Sequence, residues 1–262
     1  MRAEFWRIRI ARILTGLVLA YLLAPLLVIL PMSLTSGSNL TLPGPGWSWR
    51  WYELVLSDPR WLDALGNSLI VGLGSTLLAV LLATPAAVAL AWGKFPGRQF
   101  ALALIATPLV LPIVILAVAS FSFYASAGLL GSRLGLILAH AGLSAPVVLI
   151  TILASLRGFD LGLMRAAASL GAPPLTAFRR VLLPLVAPGV LAGAIIAFVI
   201  SFDEVVIASY LTTAEQRTLP RVIFSGLRES ISPAIAAAAV LLILASTLLL
   251  CLAAALQRPK DR

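Results

Sequence analysis

Two adjacent acids interrupt a stretch that is otherwise uncharged. Asp203 and Glu204 sit in Ser201-Phe202-Asp203-Glu204-Val205-Val206-Ile207-Ala208-Ser209-Tyr210, within an apolar run that begins near Pro188. Carboxylates at membrane depth are costly, so they face a cavity or a partner and mark a pathway. Fixed negative charge there can replace the hydration of a cationic solute, and Phe202 and Tyr210 complete that candidate solute pathway. The other chemistry open to the acids is a structural ion pair with Arg217 or Arg221 of the following segment. Both roles can hold together.

Little else in the chain could react. His140 is the one histidine, so no H-E-x-x-H zinc site and no hydrolytic triad can form. It reads either as a ring hydrogen-bonded between helices or as a proton or solute group. Cys251 is the one cysteine and lies in an apolar run, which excludes a disulfide within the chain and predicts a packed thiol. Of the two lysines, Lys94 follows a single glycine and Lys260 none, so there is no G-x-x-x-x-G-K phosphate loop. The chain is expected to hold no metal and no nucleotide and to carry no catalytic residue. Any energy must come from a partner.

The elements that position these groups are membrane spans. With 61% hydrophobic and 11% charged residues and a mean hydropathy of +1.05, this is not the composition of a soluble globular chain. The 262 residues suit one all-α membrane domain, covering 1–262. A net charge of +9 in a soluble protein would suggest nucleic acid. Here the cations lie between apolar runs, where topology and anionic lipid headgroups explain them and no nucleic-acid partner is needed.

Six spans are expected. Arg2, Arg7, Arg9 and Arg12 precede an apolar run from Ile13 to about Met32, which is too long for a signal peptide and reads as a retained first helix. The others run roughly Leu65–Trp92, Phe100–Phe123, Leu136–Leu156, Pro188–Leu211 and Ala234–Leu256. Ser232-Pro233 is a natural cap and first turn for the last. Gly72, Gly74 and Ser75 give the second span a small-residue face for close packing. Pro85, Pro108, Pro112 and Pro146 imply kinks. Between the first two spans, the polar segment 33–63 carries Trp47, Trp49, Trp51, Tyr52 and Trp61, which suit an outer aromatic belt or the seat of an external partner.

The segment 157–187 separates the fourth and fifth spans and carries Arg157, Arg165, Arg179 and Arg180. Asp160 can cap a short helix running through Leu170, with Ala166 to Ala168 as a small-residue face. Gly171 then supplies a permissive backbone. Pro173 and Pro174 forbid continuation, and Thr176 can start a second short helix that meets Pro184. With both termini on the same side as this segment, that side holds 13 of the 19 Lys and Arg: Arg2, Arg7, Arg9, Arg12, Lys94, Arg98, Arg157, Arg165, Arg179, Arg180, Arg258, Lys260 and Arg262. The asymmetry places it in the cytoplasm by the positive-inside rule.

Ala166-Ala167, Gly171 and then Val181-Leu182-Leu183-Pro184 resemble the EAA loop of binding-protein-dependent ABC transporter permeases. Gly171 and Pro184 fall at that family's glycine and proline, while Arg165 replaces its usual glutamate and removes the basis for a salt bridge there. Trp51-Tyr52-Glu53, Gly66-Asn67-Ser68-Leu69, His140 before Pro146, and Ser201-Phe202-Asp203-Glu204 resemble the spermidine/putrescine-type branch. The resemblance covers most of the chain from Trp51 onward.

That resemblance implies a bacterial inner-membrane permease subunit importing a polyamine. It implies that Arg165, Ala166, Ala167, Gly171, Leu183 and Pro184 couple to the ATPase. It also implies two ATP-binding cassette subunits that carry ATP and magnesium, a sister permease, an external solute-binding protein and surrounding lipid. Import of another small solute, a self-sufficient secondary transporter or channel, and a membrane anchoring protein are the competing readings.

The topology is testable by introducing single cysteines at Asn39, Gln216 and Asp261 in a Cys251→Ser background. An impermeant thiol reagent outside the cell should label the first two positions only. External labelling at 261 overturns the six-span arrangement.

Overall fold

The computed structural model describes residues 2–42, 44–229 and 232–257, with side chains from 8 to 255 in those ranges. Arg258, Lys260, Asp261 and Arg262 lie outside the described residues, so the basic count at the carboxyl end rests on sequence alone. Twelve α-helices are found among the described residues, and no strand. They are α1 Arg2–Ser33, α2 Arg50–Ser57, α3 Pro59–Trp92, α4 Arg98–Ala106, α5 Ile113–Ser126, α6 Arg133–Arg157, α7 Leu161–Ser169, α8 Pro174–Ala177, α9 Leu183–Phe202, α10 Val206–Leu211, α11 Leu219–Glu229 and α12 Pro233–Gln257. Five of the described helical segments are long and apolar enough to cross a membrane, and the bent pair α4–α5 makes a sixth if it counts as one span.

Two of the expected spans are broken. Phe100–Phe123 divides at Pro108 and Pro112 into α4 and α5, bent by 99° through a short 3-10 turn at Thr107–Leu109. The two prolines withdraw two backbone donors within five residues, which no single helix can absorb. At Pro85 and Pro146, by contrast, α3 and α6 run on. The fifth expected span, Pro188–Leu211, divides at Asp203–Val205 into α9 and α10.

The same span also begins earlier than expected. The short helix after Pro173 starts at Pro174 rather than Thr176, and it does not stop at Pro184. A π turn at Phe178–Leu182 carries it into α9, giving one continuous helical segment, Pro174–Phe202, of 29 residues. Leu183 N–H donates to Phe178 O, five residues back. The wider turn makes room for a proline ring and leaves Pro184's missing donor without consequence.

The chain packs as two units, and each stands by itself here. The first comprises 1–59 and 225–243. In it the polar loop after α1 is pinned by its own aromatics: Trp51 Nε1 donates to Thr35 O at 2.9 Å, and the Tyr52 hydroxyl lies 2.7 Å from Ser33 Oγ. The Arg50 guanidinium lies 4.4 Å from the Trp51 ring centre and donates to Gly37 O at 2.7 Å. Trp47 and Trp49 are left exposed, as interfacial indoles are. Ser232 caps α12 as expected, accepting from Ala234 N–H at 3.3 Å.

The second unit, 60–224 and 244–262, holds the polar groups of interest. Cys251 is exposed on α12 rather than packed. In the apolar medium of a bilayer, lipid tails compete with side chains for every apolar face. Helix pairs therefore gain from close backbone approach through small residues. The α6–α9 pair follows that rule. A Cβ at Gly189 would collide with the Ser155 side chain, and one at Gly193 would reach Val148 at 3.4 Å. On α3, Gly72 receives the Phe198 ring and Gly74 receives Ile137, which gives the expected small-residue face its partners. Two apolar clusters result. One joins Ala79, Ala83, Val148, Ile152, Val186 and Ala197, and the other joins Val71, Ala117, Leu136, Ala139, Ile207 and Leu211.

Candidate functional site

Three backbone amides at the start of α10 need acceptors, and no water is available inside a bilayer to supply them. Glu204 supplies all three. Its Oε1 accepts from Val206 N–H at 2.8 Å and Ile207 N–H at 2.9 Å, and its Oε2 accepts from Ala208 N–H at 3.0 Å. The acid thus serves as the cap of α10 and permits the chain to break after Phe202. Bonds to an ionised acceptor are shorter and stronger than neutral ones, which suits a carboxylate for the task.

His140, fully buried on α6, approaches the same carboxylate. Its Nε2 lies 3.3 Å from Glu204 Oε2, a close approach rather than an aligned hydrogen bond. The other ring nitrogen, Nδ1, lies 2.8 Å from Ser201 Oγ on α9, and Ser75 Oγ on α3 donates to that oxygen at 2.9 Å. The Ser75 hydroxyl also reaches the Gly72 carbonyl at 3.1 Å, so its one proton can serve either acceptor. With Ser75 donating to Ser201 and Ser201 donating to Nδ1, the ring proton lies on Nε2 and faces the carboxylate. Ser144 Oγ donates to the His140 carbonyl at 2.8 Å, one turn on. Side chains of α3, α6 and α9 therefore converge on the cap of α10.

The four pathway residues singled out from sequence separate into two kinds. Asp203 and Tyr210 are exposed, and the Asp203 carboxylate has no hydrogen bond or ion pair among the described residues. Glu204 and Phe202 are buried, with Phe202 stacked on Phe198 at 5.3 Å between ring centres. The ion pair considered with Arg217 or Arg221 does not form among the described residues. Arg221 instead donates to the Thr212 carbonyl at 2.6 Å, to the Thr213 carbonyl at 3.1 Å and to Thr212 Oγ1. These oxygens close the carboxyl end of α10, where a cation is favourable. Burial, and then the charge of Arg217, lower the proton affinity of that guanidinium. Asn67 of α3 fastens the segment after α10. It donates to the carbonyls of Glu215 at 2.9 Å and Arg217 at 3.1 Å, and its own oxygen accepts from Arg133 at 3.0 Å.

At the other end of the Pro174–Phe202 segment lies the knuckle. Asp160 caps α7 by accepting from Gly162 N–H at 2.7 Å. The helix ends in the expected left-handed turn: Gly171 has φ +81°, with its N–H on Ala168 O at 2.9 Å and the Ala172 N–H on Ala167 O at 3.0 Å. Of the alanine face, Ala166 and Ala168 are exposed but Ala167 is buried within the chain. Arg165, Gly171 and Pro184 are also exposed, and Leu183 is half-buried. Sequence reasoning missed Leu163, Leu170 and Leu175, exposed leucines of the same knuckle. It missed Ser201 as the partner of His140 and Ser75 as the partner of Ser201, because these contacts join residues 61 and 126 positions apart.

Residues 75–261 match the family model described as the binding-protein-dependent transport system inner membrane component. The chain belongs to this family. It is a multi-pass membrane permease component. It is 30% identical over 260 residues to the spermidine/putrescine transport system permease protein PotC of Escherichia coli (strain K12), covering 97% of each chain. To the putrescine transport system permease protein PotI of the same strain it is 36% identical over 245 residues, covering 91% of this chain and 85% of that one. Among solved structures, a chain of a bacterial ABC transporter involved in the import of the acidic polysaccharide alginate matches with a TM-score of 0.74 and 18% identity, covering 100% of this permease and 99% of that chain. At that identity the likeness shows the fold alone.

The knuckle geometry makes a graded prediction. A Cβ at Gly171 meets nothing within 4 Å, so the penalty of substitution is purely one of backbone conformation. Asparagine tolerates that conformation and valine does not. Gly171→Asn should retain most solute-stimulated ATP hydrolysis in proteoliposomes, and Gly171→Val should lose it while still reaching the membrane. Equal coupling in both variants removes the role of this turn.

Proposed function

We propose that this permease forms part of the membrane path of a polyamine importer, with spermidine or putrescine as solute. The observation that carries the reading is the exposed, unpaired carboxylate of Asp203 beside a helix break in an otherwise apolar span. The identity to two polyamine-system permeases supports it. An ammonium group leaving water needs a fixed negative partner. Two unit charges 4 Å apart attract by about 1 kcal/mol in water and about 4 kcal/mol at an effective dielectric of 20. Tyr210 stands exposed on α10 as a second candidate contact, while Phe202 and Glu204 act from behind the path.

In this reading two ATP-binding cassette subunits bind ATP and magnesium and carry out all of the hydrolysis. This chain binds no cofactor and contributes no catalytic group. A sister permease completes the path, an external binding protein delivers solute, and both termini lie in the cytoplasm with the knuckle. Arg165, Ala166, Gly171 and Pro184 offer the ATPase an exposed surface, and Ala167 and Leu183 shape it from within. The leucines 163, 170 and 175 add the apolar area that a docking surface needs. Import of another small solute is the competing reading, since one permease fold serves chemically unrelated cargoes.

The two acids now predict different phenotypes. Asp203→Asn should assemble normally and lower labelled putrescine uptake about tenfold or more at matched complex levels, with capture by the binding protein unchanged. Glu204→Ala should lower the amount of assembled complex instead. Wild-type uptake of putrescine and spermidine by Asp203→Asn contradicts the polyamine path.

A further inference from the structure

We propose that His140 is a positioning residue for transport: by holding Glu204 it fixes the break between α9 and α10 and so sets where the Asp203 carboxylate stands. The inference rests on the reading of Asp203 as part of the solute path. Glu204 follows Asp203 directly, so whatever immobilises Glu204 also limits the backbone of its neighbour. Three bonds from Glu204 go to α10 itself and would travel with α10 if the break flexed. The polar contact that ties the Glu204 carboxylate to α6 is the one at 3.3 Å from His140 Nε2.

The ring is held in turn from two other directions. Ser201 Oγ fixes Nδ1 at 2.8 Å, and Ser75 Oγ reaches Ser201 at 2.9 Å from a third helix. All four side chains are buried, with His140 and Ser75 fully so. A buried polar chain of this kind defines one arrangement sharply, because a member moved away from its neighbours would be left buried and unpaired at a cost. The lone histidine of the chain acts in this scheme by position, with Nε2 facing a carboxylate at a fixed place.

Glutamine and asparagine separate the two ring nitrogens. His140→Gln can place an amide N–H near the Nε2 position and keep the Glu204 contact. His140→Asn can serve Ser201 but cannot reach Glu204. In the full complex in proteoliposomes, supplied with binding protein and labelled putrescine or spermidine, the quantity to read is ATP hydrolysed per solute moved. The asparagine variant should raise that ratio several-fold, and the glutamine variant should stay within about twofold of wild type. A merely structural histidine would change the amount of assembled complex and leave the ratio alone, so a wild-type ratio in His140→Asn overturns the proposal.

Should His140→Asn fail to assemble, Ser201→Ala loosens the same ring at minimal change in volume. It should raise the ratio in the same direction, and an unchanged ratio there counts equally against the proposal. If the wild-type complex moves neither polyamine, the solute reading fails by itself. Positioning is then read without solute, from the thiol introduced by Asp203→Cys in a Cys251→Ser background. Adding His140→Asn should change its labelling rate several-fold, and an equal rate contradicts the inference.

Discussion

A carboxylate accepting three amides where water cannot do so is the constraint on which the rest of the site depends. A helix that stops inside a membrane leaves donors that must be satisfied by the protein itself. Glu204 meets that need for α10, and the chain can therefore break after Phe202 without a cavity of water. Once the break exists, Asp203 is free of helix packing and stands exposed. The placement of one acid follows from the chemistry of the next.

The break sits at one end of a continuous helical segment whose other end is the knuckle. Pro174–Phe202 contains 29 residues, or about 43 Å of helix at 1.5 Å per residue. A hydrocarbon core is about 30 Å thick, so roughly 30% of the segment must project beyond it. That projection carries the π turn and the exposed Arg179 and Arg180. A displacement of the knuckle can therefore reach the break through one continuous helical segment. The close α6–α9 contact at Gly189 and Gly193 ties that element to the helix carrying His140.

Much of this was legible in the sequence, and the illegible part has definite physical causes. The spans follow from runs of apolar residues, and the Asp160 cap and the Gly171 turn follow from local chemistry that no distant contact overrides. The resemblance of the knuckle and of the Asp-Glu stretch to one family agreed with the membership found. The break at 203–205 was not legible, because no glycine or proline marks it and the apolar run continues to Leu211. Only the cap geometry reveals it, and an acid directly before an apolar stretch is a weak sign in isolation. Pro184 misled in the opposite direction. A proline usually ends a helix, but a π turn accommodates this one, and i to i+5 bonding leaves no mark in composition. The partner of Glu204 also differed from the arginines considered, since a histidine 64 positions earlier is invisible to local reading.

The central claim is that the Glu204 carboxylate holds α10 in place. Hydrogen–deuterium exchange of the Val206, Ile207 and Ala208 amides tests it most directly, comparing wild type with Glu204→Ala in the assembled complex. Removing the carboxylate should speed exchange at these three amides at least tenfold, while amides in the middle of α9 keep their protection. Unchanged exchange at all three would show that α10 is held by something other than this acid, and the account of the site would fail.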